Sequence, residues 1–245
     1  MSKSTPPKQS PLALFGGPKS VHSADDGMFA LGIRQGDEII CPATTYWASA
    51  LPVFTLGGTV VFADIDPRAL CLDPNDIERH ISPRTKAIVA VHYLGHPADM
   101  DAIMDIAGRH GLKVLIGSNM AGWYGYCGLY RREKLGGLSI TRFCEAVRAE
   151  GFPGASAGCN KALHTHPAFN DVDIYGQGRP TRIANSSRDL RQPPGSLPVA
   201  ERIGHEVFFI PWFKHFRPEV IREHAAAFRK VAEHAAELTV NHRRD

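Results

Sequence analysis

The stretch Gly36-Asp37-Glu38-Ile39-Ile40-Cys41-Pro42-Ala43-Thr44-Thr45-Tyr46-Trp47-Ala48-Ser49-Ala50, followed by Phe62-Ala63-Asp64-Ile65-Asp66-Pro67, decides the fold class. Glu38–Cys41 reads as a short apolar strand that ends at Pro42. Trp47–Leu56 then carries apolar residues at helical spacing, with a Pro52 that a helix tolerates only in its first turn. Gly57-Gly58 closes that segment, and Thr59–Ala63, rich in β-branched residues, reads as a buried strand. Working outward, Asp73-Pro74-Asn75-Asp76 opens a short helix through His80, and Lys86–His92 has the composition of a central strand. Met100, Ile103, Met104 and Ala107 line one face of a helix closed by Gly111. Leu112–Ile116 is a further apolar strand. Strands separated by helices at these intervals predict a parallel sheet with right-handed crossovers.

Beyond Gly117 the texture changes. Trp123–Tyr130 alternates like an exposed antiparallel strand, and Ser139 can cap a helix whose Ile140, Phe143, Cys144 and Val147 share a face. Residues 151–200 are rich in Gly, Pro, Asn and Asp and read as loop-dominated, and such long loops are functional or disordered more often than filler. Pro218 starts a terminal helix with Val220, Ile221, His224, Phe228, Val231, His234 or Ala235, and Leu238 at core spacing. Residues 1–29 read as an irregular leader, with Leu12-Ala13-Leu14-Phe15 as its one apolar cluster and Gly16-Gly17-Pro18 as breakers.

Composition narrows the class. The chain has 245 residues, 43% of them hydrophobic and 22% charged, as in an ordinary globular protein. A formal charge of +3 with scattered basic residues gives no nucleic-acid footprint; the nearest thing to a basic run, Arg243-Arg244, reads as a solvated helix end. The five cysteines (Cys41, Cys71, Cys127, Cys144, Cys159) form no CxxC pair and read as reduced thiols. Met1–Pro11 lacks the apolar run of a signal peptide, and no stretch is apolar for long enough to span a bilayer. The expectation is a cytoplasmic protein without a membrane or nucleic-acid partner.

Three blocks of the chain resemble the DegT/StrS family of sugar aminotransferases, which use pyridoxal phosphate. Leu12–Lys19 with Asp25-Asp26-Gly27-Met28-Phe29 resembles that family's N-terminal arm. Residues 30–116 resemble part of its cofactor-binding large domain, through the opening stretch, Ile65-Asp66-Pro67 and His92-Tyr93-Leu94-Gly95-His96-Pro97-Ala98-Asp99-Met100-Asp101. Residues 121–239, from Trp123-Tyr124 through Pro198-Val199-Ala200-Glu201 to the last helix, resemble its small domain. The resemblance implies an α/β fold: a remnant of the fold-type I large domain, mostly parallel sheet, with a small α+β C-terminal domain. It divides the chain into an arm (1–29), a truncated cofactor-binding domain (30–117) and a small domain (118–245).

The two joins between these blocks depart from the family pattern. Phe29 runs directly into Ala30-Leu31-Gly32-Ile33-Arg34-Gln35-Gly36, where the family has a helical segment and the Asn/Ser-Gly-Thr loop that holds the cofactor phosphate on a helix N-terminus. Lys113-Val114-Leu115 runs into Ile116-Gly117, where the family continues to the Asp that pairs with the pyridinium nitrogen. The block that carries the family's Schiff-base lysine is missing too. None of Lys86, Lys113, Lys134 or Lys161 stands in a matching context, so no catalytic residue is assigned.

The resemblance places Tyr46 over the cofactor ring, where a parallel aromatic face would position it, and His164 toward the sugar substrate. On the residues alone, Tyr46 reads first as a core or strand-end aromatic. His164 and His166 form an HxH pair that would share a face of a strand, but no third ligand has a metal-site spacing, and no metal site is assigned. Asp64 and Asp66 share a face if their strand continues; an Asp-Pro turn at a strand end is the simpler reading. Cys41 reads as a buried thiol, and His224 and His234 as partly buried helix residues. The activity implied is transfer of an amino group from an amino acid to a keto-sugar nucleotide, with catalysis lost or impaired in this chain alone. The resemblance also implies a homodimer; the alternatives for function are a non-catalytic homologue that binds a full-length paralogue in a hetero-oligomer, and a degraded gene or incomplete gene model. Uncovered sheet edges would lower stability or invite association.

Overall fold

The computed structural model describes residues 12–14, 24–116, 126–210, 215 and 217–240. Trp123-Tyr124, Gly117, the Gly16-Gly17-Pro18 breakers and Arg243-Arg244 lie outside them. Chain contacts divide the protein into two units: residues 1–121 with 162–198, and residues 122–161 with 199–245. The sequence reading assigned 118–245 to a single C-terminal domain. Residues 162–198 instead pack with the first unit, because they satisfy the backbone of its sheet edge, as described below.

The first unit is built on a five-stranded parallel sheet. Its strands are β1 (Leu12–Leu14), β2 (Glu38–Pro42), β3 (Thr59–Ala63), β4 (Thr85–Ala90) and β5 (Lys113–Ile116), in the order β1-β5-β4-β2-β3. Every residue of β2 and β3 is buried, the pattern of a parallel sheet covered on both faces. Ile39, Ile40, Val60, Val61, Ile88 and Val114 form its centre; Ile77 of helix Pro74–His80 and Ile103, Ile106 and Ala107 of helix Met100–His110 are buried with them. Asp73 caps the first of these helices and Asp99 the second, each carboxylate accepting a first-turn backbone N–H. Gly111, at φ +66°, ends the second as the spacing predicted.

Two described segments of the leader are regular where its composition suggested irregular chain. Leu12–Leu14 pairs in parallel with Val114–Ile116, and Ala24–Ala30 is helical. That helix closes where the chain departs from the family pattern. Gly32 N–H donates to Phe29 O and Ile33 N–H to Met28 O, with Gly32 at φ +72°. This is a Schellman closure, completed by two buried apolar side chains, Met28 and Ile33. Gly36 N–H then reaches Gly57 O at 3.1 Å and the chain enters β2.

The second unit holds an antiparallel sheet of β6 (Tyr126–Leu129), β7 (Ser156–Ala157) and β8 (Val207–Ile210), in the order β6-β8-β7. Helix Ile140–Ala149, capped by Ser139, and helix Pro218–Glu233 pack with it. Phe143 is the hub: its ring lies 5.3 Å from that of Tyr130, 6.0 Å from Phe208 and 5.9 Å from Phe228. Gly128 faces Phe208 across the ladder, and a Cβ there would run into the Phe208 ring. His224 is half-buried as expected, whereas His234 is exposed and pairs with Glu237.

One carboxylate ties β3 to the helix after it. Asp76, nearly buried, accepts from Asp64 N–H at 2.7 Å and lies 3.1 Å from His80 Nε2 and 3.2 Å from Arg79 Nη1. Burial pushes its pKa up, but the His80 and Asp64 bonds outweigh burial and hold it below the ordinary value. A depressed folded pKa stabilises above the unfolded value, about 3.9, and is lost as pH falls through the folded one. We predict that Asp76→Ala lowers unfolding stability in urea by about 1.5–3 kcal/mol at pH 7. The difference between variant and parent should shrink as the pH is taken below 4.

Candidate functional site

The order of the sheet locates the site. From β2 the chain moves outward to β3, then crosses back to place β4 on the other side of β2 and β5 beyond it. The direction reverses between β2 and β4, and in open parallel sheets ligands bind outside the carboxyl ends of strands at such a reversal. Residues 43–49 leave β2 at that edge, and Val91, His92 and Tyr93 leave β4 there.

Tyr46 precedes a short 3₁₀ turn, Trp47–Ser49, and is 64% exposed; Trp47 is 44% exposed. Their rings meet edge-on at 6.4 Å, and the Trp47 ring meets His166 edge-on at 6.1 Å. Beneath them the strand end is polar but enclosed. Thr45 Oγ1 lies 3.4 Å from Ser49 Oγ, and Cys41 Sγ lies 3.7 Å from Ser49 O. Thr44 is buried, and its hydroxyl has no hydrogen-bond partner among the described residues. Burial drives the Cys41 thiol pKa far upward, the nearby positive charge of Arg182 offsetting only part of it, so Cys41 is an inert packed thiol.

Leu163 N–H donates to Ala43 O at 2.7 Å, which fixes the His164 segment against the end of β2. The segment is not a strand: Leu163–Thr165 is a 3₁₀ turn and Pro167–Asn170 a helical turn capped by His166, whose Nδ1 accepts from Ala168 N–H at 3.1 Å. The two histidines therefore do not share a strand face. His164 is fully buried in this unit, and the half-buried His166 is the one beside Trp47. Sequence reasoning singled out Tyr46 and His164 and missed Trp47 and His166 as the ring pair; the HxH spacing was the available signal, read with the wrong local geometry. Asp64 and Asp66 also do not continue a strand. β3 ends at Ala63, and Asp66 Oδ1 accepts from Arg68 and Ala69 N–H in a turn. Among the described residues no group of three or more His, Cys, Asp or Glu side chains could hold a metal ion.

Pyridoxal phosphate, which the resemblance implies, needs an amine for covalent attachment and an anion cradle for its phosphate. At this edge the described residues of the first unit offer neither. Lys86 and Lys113 stand at the amino-terminal ends of β4 and β5, the opposite edge from Tyr46. The helix N-termini that follow β3 and β4 are filled by the Asp73 and Asp99 carboxylates, which would repel a phosphate. What the edge does offer is ring surface, hydroxyls and a histidine.

Besides His166, the edge carries His92. Ala98 N–H donates to its Nδ1 at 3.0 Å, so the neutral ring carries its proton on Nε2. Burial lowers its pKa. The next residue but one, Leu94, is held at φ 55°, a conformation that a branched side chain rarely adopts outside tightly determined turns. A lowered histidine pKa favours the neutral folded form, so its contribution is intact above the unfolded value, about 6.5, and declines as pH falls toward the folded one. We predict that thermal stability falls between pH 7 and pH 5, and that His92→Gln removes part of this slope in a calorimetric series.

Comparison with known proteins places the chain. Residues 22–139 match the profile of the DegT/DnrJ/EryC1/StrS aminotransferase family. The chain is 40% identical over 130 residues to a dTDP-3-amino-3,4,6-trideoxy-alpha-D-glucose transaminase of Streptomyces venezuelae, covering 53% of this chain and 32% of that one. It is 35% identical over 215 residues to a UDP-2-acetamido-2-deoxy-3-oxo-D-glucuronate aminotransferase of Pseudomonas aeruginosa, covering 80% of this chain and 57% of the relative. The chain thus spans between a third and somewhat over half of these relatives. Its fold is that of an aminotransferase from Psychrobacter cryohalolentis (TM-score 0.68, 18% identity, 87% of this chain and 85% of the other). The parallel α/β architecture expected from the sequence is therefore that of the fold-type I aminotransferases. Residues 22–139 thus carry the sequence pattern of the DegT/DnrJ/EryC1/StrS aminotransferase family.

Proposed function

We propose that this chain derives from nucleotide-sugar aminotransferases, keeps a ring-binding face at the β2–β4 edge, and does not transaminate by itself. The observation that carries this reading is the position of its lysines. A Schiff base needs an amine held at the ligand, with its pKa lowered by its surroundings, and the described lysines of the first unit lie at the other end of the sheet. The two helices that follow β3 and β4 are capped by carboxylates, which disfavour an anion there. The relatives' names carry dTDP- and UDP-linked sugars, so the ligand class proposed here is a sugar nucleotide. A nucleobase or pyridine ring could lie on the exposed Tyr46 and Trp47 rings, since stacking on an aromatic face needs no charge.

The ancestral reaction would pass an amino group from an amino acid to a keto sugar through pyridoxal phosphate. No step of it is assigned to residues of this chain. A partner role follows from the same reading: an intact paralogue in a hetero-oligomer would have to supply the amine. Among the described residues no helix is long and apolar enough to cross a membrane, and the cytoplasm remains the proposed location.

The test is chemical. Purified protein is incubated with pyridoxal phosphate, reduced with borohydride, digested and mapped by mass spectrometry. The expected outcome is only the free-cofactor absorbance band and no peptide modified in stoichiometric yield. A single lysine labelled stoichiometrically, with a shifted visible band, would overturn the proposal and identify a replacement amine.

A further inference from the structure

We propose that Arg182 is a positioning residue for the ring pair Trp47–His166, acting through Asn170. Arg182 is fully buried, and burial pulls its pKa down to about 10. Its Nε donates to Val60 O of β3 at 3.0 Å, its Nη2 to Leu190 O at 3.0 Å, and its Nη1 to Asn170 Oδ1 at 3.2 Å. Nη2 also meets Gln192 Oε1, and the guanidinium carbon lies 4.7 Å from the centre of the Phe62 ring. Asn170 is thereby oriented with its amide nitrogen on His164 O. That carbonyl sits in the 3₁₀ turn Leu163–Thr165, and Asn170 ends the helical turn that His166 caps. One side chain of β3's edge network therefore locks both turns that flank His166, and His166 is the ring against Trp47.

The planar fork is what the arrangement uses. Three nitrogens reach a strand carbonyl, a loop carbonyl and a side-chain amide at once, which a lysine ammonium cannot reproduce in that plane. A charge with no carboxylate in hydrogen-bond contact is costly to bury, and a purely structural brace could be made from apolar residues. Here the guanidinium connects the rigid edge of β3 to the segment that carries His166. The inference takes Trp47 and His166 as the ligand-facing rings and so rests on the site reading above, but its test does not require a ligand.

The experiment uses the full chain carrying Trp123→Phe and Trp212→Phe, so that Trp47 is the sole indole. Arg182→Lys, Asn170→Ala and, as a control, Arg188→Met are compared. Arg188 pairs with the buried Glu38 at the other end of β2 and has no bond to the His164 segment. At a temperature where all remain folded by circular dichroism, Arg182→Lys and Asn170→Ala should shift the Trp47 emission maximum. They should also relieve the ring-current shift of the His166 ring protons in the NMR spectrum. The control should lose stability and leave both signals in place. If Arg182→Lys does not fold, Asn170→Ala alone decides. Unchanged Trp47 and His166 signals in a folded Asn170→Ala protein would overturn the inference, as would equal changes in the control. Titration of the same proteins with UDP, read as Trp47 quenching, tests the site reading separately: no quenching in the parent with intact ring signals would remove the ligand assignment and leave the positioning role standing.

Discussion

The first unit depends on the closure of one strand edge. β3 is the last strand of the sheet, and Val60 and Phe62 turn their carbonyls outward from it. Arg182 Nε takes the first and the Gln192 side-chain amide takes the second. Leu163 N–H takes Ala43 O just beyond the end of the neighbouring strand, and Asn185 takes Gly57 O at the turn before β3. A segment with almost no regular structure thus performs the hydrogen bonding of a missing neighbour strand, mostly with side chains. The expectation of a bare edge open to association fails here for that reason: the bare strand is satisfied from residues 162–192 of the same chain.

This closure explains both the division of the molecule and the position of its rings. The loop-rich segment folds with the sheet and not with the unit that surrounds it in sequence, because its polar side chains have their acceptors on β3. Once it is docked, His166 is delivered to Trp47 at the carboxyl edge and Glu38 is closed at the amino edge by Arg188 and Ser82. The sheet is held by apolar burial in its middle, as in any parallel α/β layer. The β3 edge is held by the Arg182 guanidinium and the Gln192 and Asn185 side-chain amides, and the buried Glu38 carboxylate by Arg188 and Ser82; buried polar groups of this kind are costly to leave unpaired.

Much of the fold was legible in the sequence. Asp73-Pro74, Asp99, Ser139, Gly111 and Pro218 mark helix ends by local chemistry, and each is where its side chain or backbone conformation requires. The β-branched runs of β3 and β4 declared themselves in the same way. The site was less legible, because what makes it is contact across long sequence separations. Arg182 looks like any surface arginine until Val60 is placed beside it, 122 residues away. The HxH pair suggested a strand, since alternation is all that a sequence shows; Pro167 and the Asn170 bond to His164 O made turns of it instead. The leader concealed a strand of three residues, too short for periodicity to register, whose existence depends on the free edge of β5.

The Schellman closure at Gly32 has a mechanical meaning. Helix 24–30 and β2 are joined by residues whose backbone bonds are fixed at both ends, Ile33 to Met28 on one side and Gly36 to Gly57 on the other. Such a joint has little slack, so the helix and the strand that leads into Tyr46 are held in a fixed relation. Any displacement of residues 24–30 therefore strains the entry to β2, where a long connecting loop would have absorbed it.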